Sequence, residues 1–237
     1  MKAFTNTNLI ETRAKWAKRI APLTMFFLIG GLITNFMSIN QPQYFQVTVI
    51  LLAIGLFLSF FSSSLVNQWV REPRTDQALA TTLKKFGNDF VLFNYTTVVH
   101  HVLLTPSRLY VVVARRQGGQ INVSKDRFSR KFSWVRVLRF FADEGMGTPI
   151  KEAQSKVKKL GSFLSKHLPD EEIPELTPLV IFTNKDVELS VSDPLIPVMR
   201  LNELKTYLRE QNKHRAVSAQ QRNTLIRLLG SDQQEKA

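Results

Sequence analysis

Residues 98–121, VVHHVLLTPSRLYVVVARRQGGQI, form the stretch from which the rest of the chain can be interpreted. It contains two β-branched, apolar segments, 98–104 and 109–114, which predict two strands joined by the turn Thr105-Pro106-Ser107-Arg108. Strands that are apolar on both faces usually lie in the middle of a sheet and are covered on both sides. We therefore predict a central β-hairpin, on which a polar side chain marks either a functional site or the end of a strand.

The sequence around this hairpin alternates between helical and extended patterns. Apolar spacing and capping residues predict helices and short strands on both sides of it. In chain order these are a helix at 75–86, a strand at 89–95, a helix at 150–167 opened by Pro149, strands at 179–183, 187–191 and 197–199, and a helix at 201–211. This order predicts an α/β domain with a mixed sheet flanked by helices.

The hairpin resembles one known family, the nuclease-related domain (NERD) family of the restriction-endonuclease-like superfamily. The similar segments are Val99-His100-His101-Val102-Leu103-Leu104, then Leu109-Tyr110-Val111-Val112-Val113-Ala114-Arg115, and then Gly119-Gln120-Ile121. The helix start Gly147-Thr148-Pro149 with Ala153-Gln154 is also similar to the family pattern, and the resemblance covers about residues 75–209. It implies a restriction-endonuclease-like mixed sheet flanked by helices. In this chain we expect that domain to follow a two-helix transmembrane hairpin.

All three positions that carry the family's chemistry are different in this chain. The family's metal-binding Asp and Glu fall on His100 and Val113, and its Lys falls on Arg115. Mg²⁺ prefers oxygen ligands, which Val113 cannot supply, and an arginine keeps its proton at working pH. Asp76 is the nearest equivalent of a glutamate that the family often carries on its first helix. We therefore expect a catalytically degenerate pseudoenzyme with no metal site and no cofactor.

The two adjacent histidines are expected to have different roles. Successive residues of a strand point to opposite faces, so His100 and His101 are not expected to bind one metal ion together. His101 matches a histidine that often follows the family's Asp, and we interpret it as structural. Two roles remain open for His100: it is either a hydrogen-bonded residue of a former site or a working residue of the present one.

The charge balance indicates an anionic partner. The chain has a formal net charge of +13 and contains no cysteine, which excludes a disulfide framework and a thiolate metal site. Arg115, Arg116, Lys125 and Arg127 are the predicted nucleic-acid-binding residues. Cations and aromatics continue to alternate through residues 125–141, a pattern that suits a flap over the sheet, an anionic lipid surface or nucleic acid.

The N-terminal third is predicted to cross a membrane. No charged residue lies between Arg19 and Arg71, and this window contains two apolar blocks, 20–39 and 48–66. Each block approaches the ~20 residues that a helix needs to span the hydrocarbon core. Glycines at Gly30, Gly31 and Gly55 would allow the two helices to approach closely. The alternative is a pair of buried helices in a soluble core.

The flanking charges predict the orientation of this hairpin. Lysines and arginines precede the first block and follow the second, whereas the connecting loop has none, so the positive-inside rule places both ends in the cytoplasm. The expected organisation is a basic cytoplasmic N-terminus at 1–19, a transmembrane hairpin at 20–66, a NERD-like domain at 75–212 and a mobile polar tail at 213–237. Within this tail Leu225, Ile226, Leu228 and Leu229 could form one weak amphipathic turn or helix. The protein is thus predicted to be a multi-pass cell-membrane protein whose soluble domain is cytoplasmic.

Three functions follow as hypotheses. The favoured one is a membrane-anchored, catalytically degenerate domain that binds nucleic acid or a protein partner at the cytoplasmic membrane face. The first alternative is an active, divalent-metal-dependent endonuclease that uses Mg²⁺ held by carboxylates relocated to Asp76, Asp89 or Asp126. The second alternative is a module that binds an anionic lipid surface.

Overall fold

The structure is a computed structural model that describes residues 1–131, 145–169, 172–211 and 217–230. Residues 132–141, where we predicted the end of the aromatic and basic segment, lie outside the described residues. The chain divides into two compact units. An α/β unit contains Met1–Asn6, Thr75–Lys131 and the chain from Met146 onward, and a helical unit contains Thr7–Arg74.

The described residues form six helices and nine strands. The helices are α1 (Thr7–Asn40), α2 (Tyr44–Trp69), α3 (Thr75–Leu83), α4 (Pro149–His167), α5 (Leu204–Gln211) and α6 (Ala219–Gly230). The strands are β1 (Lys2–Thr5), β2 (Val91–Asn94), β3 (His101–Leu104), β4 (Leu109–Arg115), β5 (Gly119–Lys125), β6 (Arg127–Arg130), β7 (Leu176–Phe182), β8 (Val187–Pro194) and β9 (Val198–Arg200).

The main sheet has six strands in the order β1-β2-β3-β4-β7-β9. Strands β2, β3 and β4 form an antiparallel meander, while β1 is parallel to β2, and β7 is parallel to both β4 and β9. The β3–β4 hairpin therefore lies at the centre of a mixed sheet, which confirms both the predicted α/β class and the predicted central position. A smaller sheet has the order β6-β5-β8.

Helices cover both faces of the main sheet. On one face Leu103 and Val112 pack in a cluster with leucines of α3 and α5. On the opposite face Val102 and Val111 pack with leucines of α4 and α6. Neighbouring residues of β3 and β4 thus enter different clusters, as the alternation of side chains along a strand requires. The hairpin is apolar on both faces because each face is covered by helices.

The predicted basic N-terminus at 1–19 is not a separate segment. Residues 2–5 form β1, which pairs in parallel with β2, and the Phe4 ring stacks on Phe93 at a centroid distance of 5.5 Å. The charged residues that follow belong to the first turns of α1, which begins at Thr7. The sequence pattern of residues 2–5 is too short to predict a strand whose partner lies about ninety positions later.

The prediction of a mobile polar tail at 213–237 was wrong for residues 219–230. These residues form α6, in which Leu225 and Leu229 are buried in the core beside Val91 and Phe93. A Cβ on Gly230 would lie 3.5 Å from the Phe4 ring, so the end of α6 approaches β1 closely. Two leucines at i and i+4 form a narrow apolar stripe, which becomes stable when the sheet covers it.

The helical unit contains two helices that are long and apolar enough to cross a membrane. Helices α1 and α2 span 34 and 26 residues, so each extends beyond the predicted apolar block at both ends. Only 11 % of the most apolar window of each helix is buried, and large side chains such as Phe26, Phe36 and Phe57 are exposed. Helices in the core of a soluble protein would be mostly buried, so this exposure favours contact with lipid.

Helices α1 and α2 pack against each other through regularly spaced buried residues, most of which are small or polar. The buried residues of α1 are Ile10, Ala17, Thr24 and Gly31, and those of α2 are Thr48, Gly55, Ser62 and Trp69. Both series have a spacing of seven, which is typical of helices that pack in a left-handed supercoil. The Thr48 hydroxyl donates to the Thr34 hydroxyl across the interface at 2.9 Å. The predicted close approach is confirmed at Gly31 and Gly55, where a Cβ would lie 2.5 Å and 2.8 Å from leucine side chains.

We expect Gly31→Leu to separate the two helices. The new side chain would overlap Leu52, whereas Gly30→Leu is a matched control because a Cβ there lies 3.7 Å from Leu51. The measurement is disulfide formation between cysteines introduced at Thr34 and Thr48, in a chain that has no cysteine of its own. Cross-linking should fall strongly in Gly31→Leu and persist in Gly30→Leu. Equal cross-linking in both variants would contradict the packing described here.

Candidate functional site

The site predicted from the sequence lies where β4 ends, on the face of the sheet that α4 covers. Val113 is 1 % exposed and packs in an apolar cluster with Ile150, Ala153 and Phe182. The position that corresponds to the family's Glu is therefore part of the core and does not line an open cleft. Arg115 lies two residues further along β4, on the same face, where this apolar cluster ends.

The Arg115 side chain forms an ion pair with α4. Its Nη2 donates a hydrogen bond to Glu152 Oε2, and Lys156 Nζ donates to the other carboxylate oxygen, Oε1, at 2.7 Å. Burial alone would raise the pKa of Glu152, but the hydrogen bonds from Lys156 and Arg115 lower it below its ordinary value. Each oxygen of this carboxylate is thus occupied by a cationic donor.

Glu152 is the functional candidate that sequence reasoning missed. It lies in the first turn of α4, four residues before Lys156, a spacing that predicts an ion pair along a helix. This local signal did not show that Arg115, 37 positions earlier, would meet the same carboxylate. The contact arises because α4 crosses from the end of β4 to the parallel strand β7 and packs over β4 on the way.

His100 is placed near the same charged cluster. Desolvation by the surrounding protein and the positive charge of Lys156 lower the pKa of His100 to about 4, and Lys159 adds to this, while Glu152 opposes it. The residue still keeps an exposed side, and its ring lies 5.6 Å from that of Tyr95. At neutral pH His100 is therefore an uncharged imidazole beside two cationic side chains and one carboxylate.

His101 is part of a separate, buried network on the other face of the sheet. Asn94 Nδ2 donates to Thr5 Oγ1 at 3.1 Å, so Asn94 Oδ1 faces His101 Nδ1 at 2.9 Å and accepts a hydrogen bond from its N–H group. These three residues are direct neighbours on β1, β2 and β3. Burial, followed by the influence of His100, lowers the pKa of His101 to about 3. This placement supports our interpretation of His101 as structural.

The described residues do not assemble a metal site. Among them, no three His, Asp or Glu side chains are close enough together to hold an ion. Asp76 is buried in the first turn of α3, and neither Asp89 nor Asp126 joins it in such a group. The carboxylate that does lie beside Arg115 is Glu152, and its oxygens face a guanidinium and an ammonium group.

The remaining predicted binding residues are spread along the smaller sheet. Lys125 and Arg127 flank the tight turn between β5 and β6, where Lys125 has a φ of 53°. Six residue steps along β5 separate Lys125 from Gly119, a distance of about 20 Å in an extended strand. The structure therefore places Lys125 and Arg127 at the end of β5 remote from Gly119, whereas Arg115 and Arg116 lie on the segment that leads into it.

That leading segment is held in place by long-range hydrogen bonds. The Thr183 amide donates to the Arg115 carbonyl at 2.8 Å, and Asn184 Nδ2 donates to the Arg116 carbonyl at 3.1 Å. Arg130 Nε donates to the Gly118 carbonyl at 2.7 Å. A cation that we had not predicted to bind nucleic acid therefore contacts this segment. A Cβ on Gly118 would lie 2.5 Å from Asn184 Nδ2, so only glycine fits without displacing that side chain.

The arrangement of Arg115, Glu152 and Lys156 carries a net positive charge that can attract an anion. Arg115 and Lys156 place two positive charges against the single negative charge of Glu152, and the neutral His100 adds none. Arginine and lysine in such a setting bind phosphate or carboxylate groups.

Comparison of this chain with family models, with curated proteins and with solved structures finds no match.

Proposed function

We propose that this chain is a membrane-anchored, NERD-like domain protein that binds nucleic acid at the cytoplasmic membrane face without cleaving it. The observation that carries the proposal is the Arg115–Glu152–Lys156 cluster. It stands where the resemblance implies a metal site, and Val113, at the position of the family's Glu, is buried among apolar side chains. Positive charge is kept at this place, and both oxygens of the carboxylate described there, Glu152, accept hydrogen bonds from cationic side chains and not from an ion.

The topology of the α/β unit supports the family resemblance. Helix α3, the meander β2–β3–β4, helix α4 and strand β7 occur in this order, with β5 and β6 between β4 and α4, and β7 lies parallel to β4. A mixed sheet of this order, flanked by helices, is what a restriction-endonuclease-like domain would have. Fold alone does not establish activity, so the functional proposal rests on the charged cluster.

The connectivity of the chain supports the membrane topology. Strand β1 precedes α1 and pairs with β2, which follows α2, so both ends of the helical hairpin join the same folded unit. A hairpin that crosses a bilayer twice therefore leaves both ends on one side of it. The excess of lysine and arginine at these ends, with none in the connecting loop, favours the cytoplasmic side.

The predicted ligand follows from charge. The formal net charge is +13, and α4 carries further exposed lysines at Lys151, Lys158 and Lys159, of which Lys159 lies on the same helical face as Glu152 and Lys156. Contacts of this kind neutralise phosphates and release counterions, so the logarithm of the affinity falls linearly with the logarithm of the salt concentration. Aromatic and basic residues around Phe128 extend the same composition.

We expect the full chain, held in nanodiscs of neutral lipid, to bind labelled DNA and RNA at low salt and to release them as salt rises. Arg115→Gln should weaken binding several-fold and reduce the slope of log affinity against log salt by about one. Lys84→Gln, which replaces an exposed residue directly after α3, is the matched control and should leave the slope unchanged. The readout is fluorescence anisotropy of the nucleic acid.

A cleavage assay on the same preparation tests the endonuclease alternative. We expect plasmid DNA to remain intact with Mg²⁺ or Mn²⁺. Cleavage that is lost in Asp76→Ala would show that a relocated carboxylate holds an ion, and the proposal of a degenerate site would then be wrong.

In the binding assay, absence of binding to both DNA and RNA at low salt would contradict the proposal that the chain binds nucleic acid.

A further inference from the structure

We propose that Arg115 and Lys156 form a phosphate-binding subsite whose anion position is filled by the Glu152 carboxylate in the free protein. A phosphodiester of nucleic acid would bind there by displacing Glu152, which acts as an internal competitor. This inference rests on the proposed function and adds to it the ligand group and the contact that regulates its binding.

The hydrogen bonds of Glu152 define the position of the anion. One oxygen accepts from the Arg115 guanidinium and the other from the Lys156 ammonium group, at 2.7 Å. A phosphodiester carries two anionic oxygens on one centre and can accept from the same two donors. Arg115 Nε is buried and has no hydrogen-bond partner among the described residues, so the guanidinium retains a donor that the carboxylate does not use.

Side-chain exposure indicates which partner would move. The Arg115 and Lys156 side chains are 18 % and 20 % exposed, whereas the Glu152 side chain is 36 % exposed. The two cations are held by the surrounding protein, and the carboxylate has the most solvent beside it. Rotation of Glu152 into water therefore frees the two donors without rearrangement of the strand or of the helix.

Electrostatics gives Glu152 its regulatory effect. With the carboxylate in place, two positive charges face one negative charge, and a phosphate entering the cluster is repelled by Glu152. With the carboxylate turned away, the phosphate meets both cations, and Lys159, which influences the pKa of His100, lies near the same place. Affinity for nucleic acid is thus reduced by the cost of breaking the internal ion pairs.

The test compares Glu152→Gln with wild type, using a labelled single-stranded oligodeoxynucleotide and the full chain in neutral-lipid nanodiscs. We expect Glu152→Gln to bind about threefold to tenfold more tightly at low salt, since the two partly exposed ion pairs of Glu152 together contribute on this scale. Its salt slope should rise by about 0.7, the contribution of one more neutralised phosphate of a single strand. Lys156→Gln should bind more weakly than wild type.

Glu188→Gln is the matched control, because it removes one exposed carboxylate on β8 and raises the net charge by the same amount. Its affinity should stay close to that of wild type. If Glu152→Gln binds no more tightly than Glu188→Gln, Glu152 only positions Arg115, and the subsite is wrong although the proposed function survives.

Two other outcomes are also decisive. If neither wild type nor any variant binds the oligodeoxynucleotide at low salt, the proposed function and the subsite fall together. The second concerns the tighter oligodeoxynucleotide binding of Glu152→Gln in neutral lipid. Its loss in nanodiscs of anionic lipid would mean that the subsite takes a lipid headgroup, and the nucleic-acid assignment would be overturned. Thermal unfolding of each variant ensures that a change in affinity is not a loss of fold.

Discussion

Acidification from about pH 6.5 to about pH 4.5 is expected to destabilise the α/β unit by about 2–3 kcal/mol through His101 alone. His101 is buried on β3 beside Asn94 of β2, and its pKa is lowered from 6.5 to about 3. Its Nδ1–H group donates a hydrogen bond to Asn94, which a neutral ring can do. Burial disfavours the charged form of the ring.

The sign follows from which state binds more protons. Unfolded chains take up a proton on this ring near pH 6.5, whereas the folded protein does so near pH 3. Stability from His101 is therefore fully present above pH 6.5 and is lost as the pH falls towards 3, at about 1.4 kcal/mol per pH unit. His100, with a pKa of about 4, acts in the same direction, but its exposed side makes its contribution smaller.

The measurement is urea denaturation of the full chain in neutral-lipid nanodiscs, followed by circular dichroism at several pH values. His101→Gln can keep a hydrogen bond to Asn94 but cannot take up a proton, so its free energy of unfolding should depend much less on pH above about 4.5. His167→Gln, at the exposed end of α4, is the control and should retain the wild-type dependence. An unchanged pH dependence in His101→Gln would mean that other groups cause it.

Leu229→Ala is expected to lower the free energy of unfolding by about 2–5 kcal/mol. The Leu229 side chain is 0 % exposed and packs with Leu225 against the face of the sheet that carries Val91 and Phe93. Truncation to alanine removes apolar area and leaves a cavity, because neighbouring strands and helices hold their positions. The same urea denaturation measures the change.

Asn223→Ala is the matched control on α6, since Asn223 is exposed and its replacement should change the free energy of unfolding by less than about 0.5 kcal/mol. A mobile tail would give the opposite pattern, with neither substitution having an effect. Equal and small effects of Leu229→Ala and Asn223→Ala would therefore contradict the docking of α6 in the core.

Local sequence signals were sufficient for several features of this chain. The absence of charge between Arg19 and Arg71 predicted the two apolar helices, because charge exclusion and helix length are properties of one continuous segment. The β-branched runs at β3 and β4 predicted a central hairpin, because burial on both faces requires apolar side chains at every position. The seven-residue spacing of the buried residues in α1 and α2 is likewise a property of each continuous segment.

Other features depend on contacts between distant segments, which no local pattern encodes. The pairing of β1 with β2 joins residues 89 positions apart, and α6 becomes part of the core only because the sheet covers Leu225 and Leu229. The replacements at Val113 and Arg115 were visible in the sequence, but the carboxylate that meets Arg115 comes from α4. Periodicity shows which side of a strand or helix is apolar, whereas the partner of a charged side chain depends on how those elements pack together.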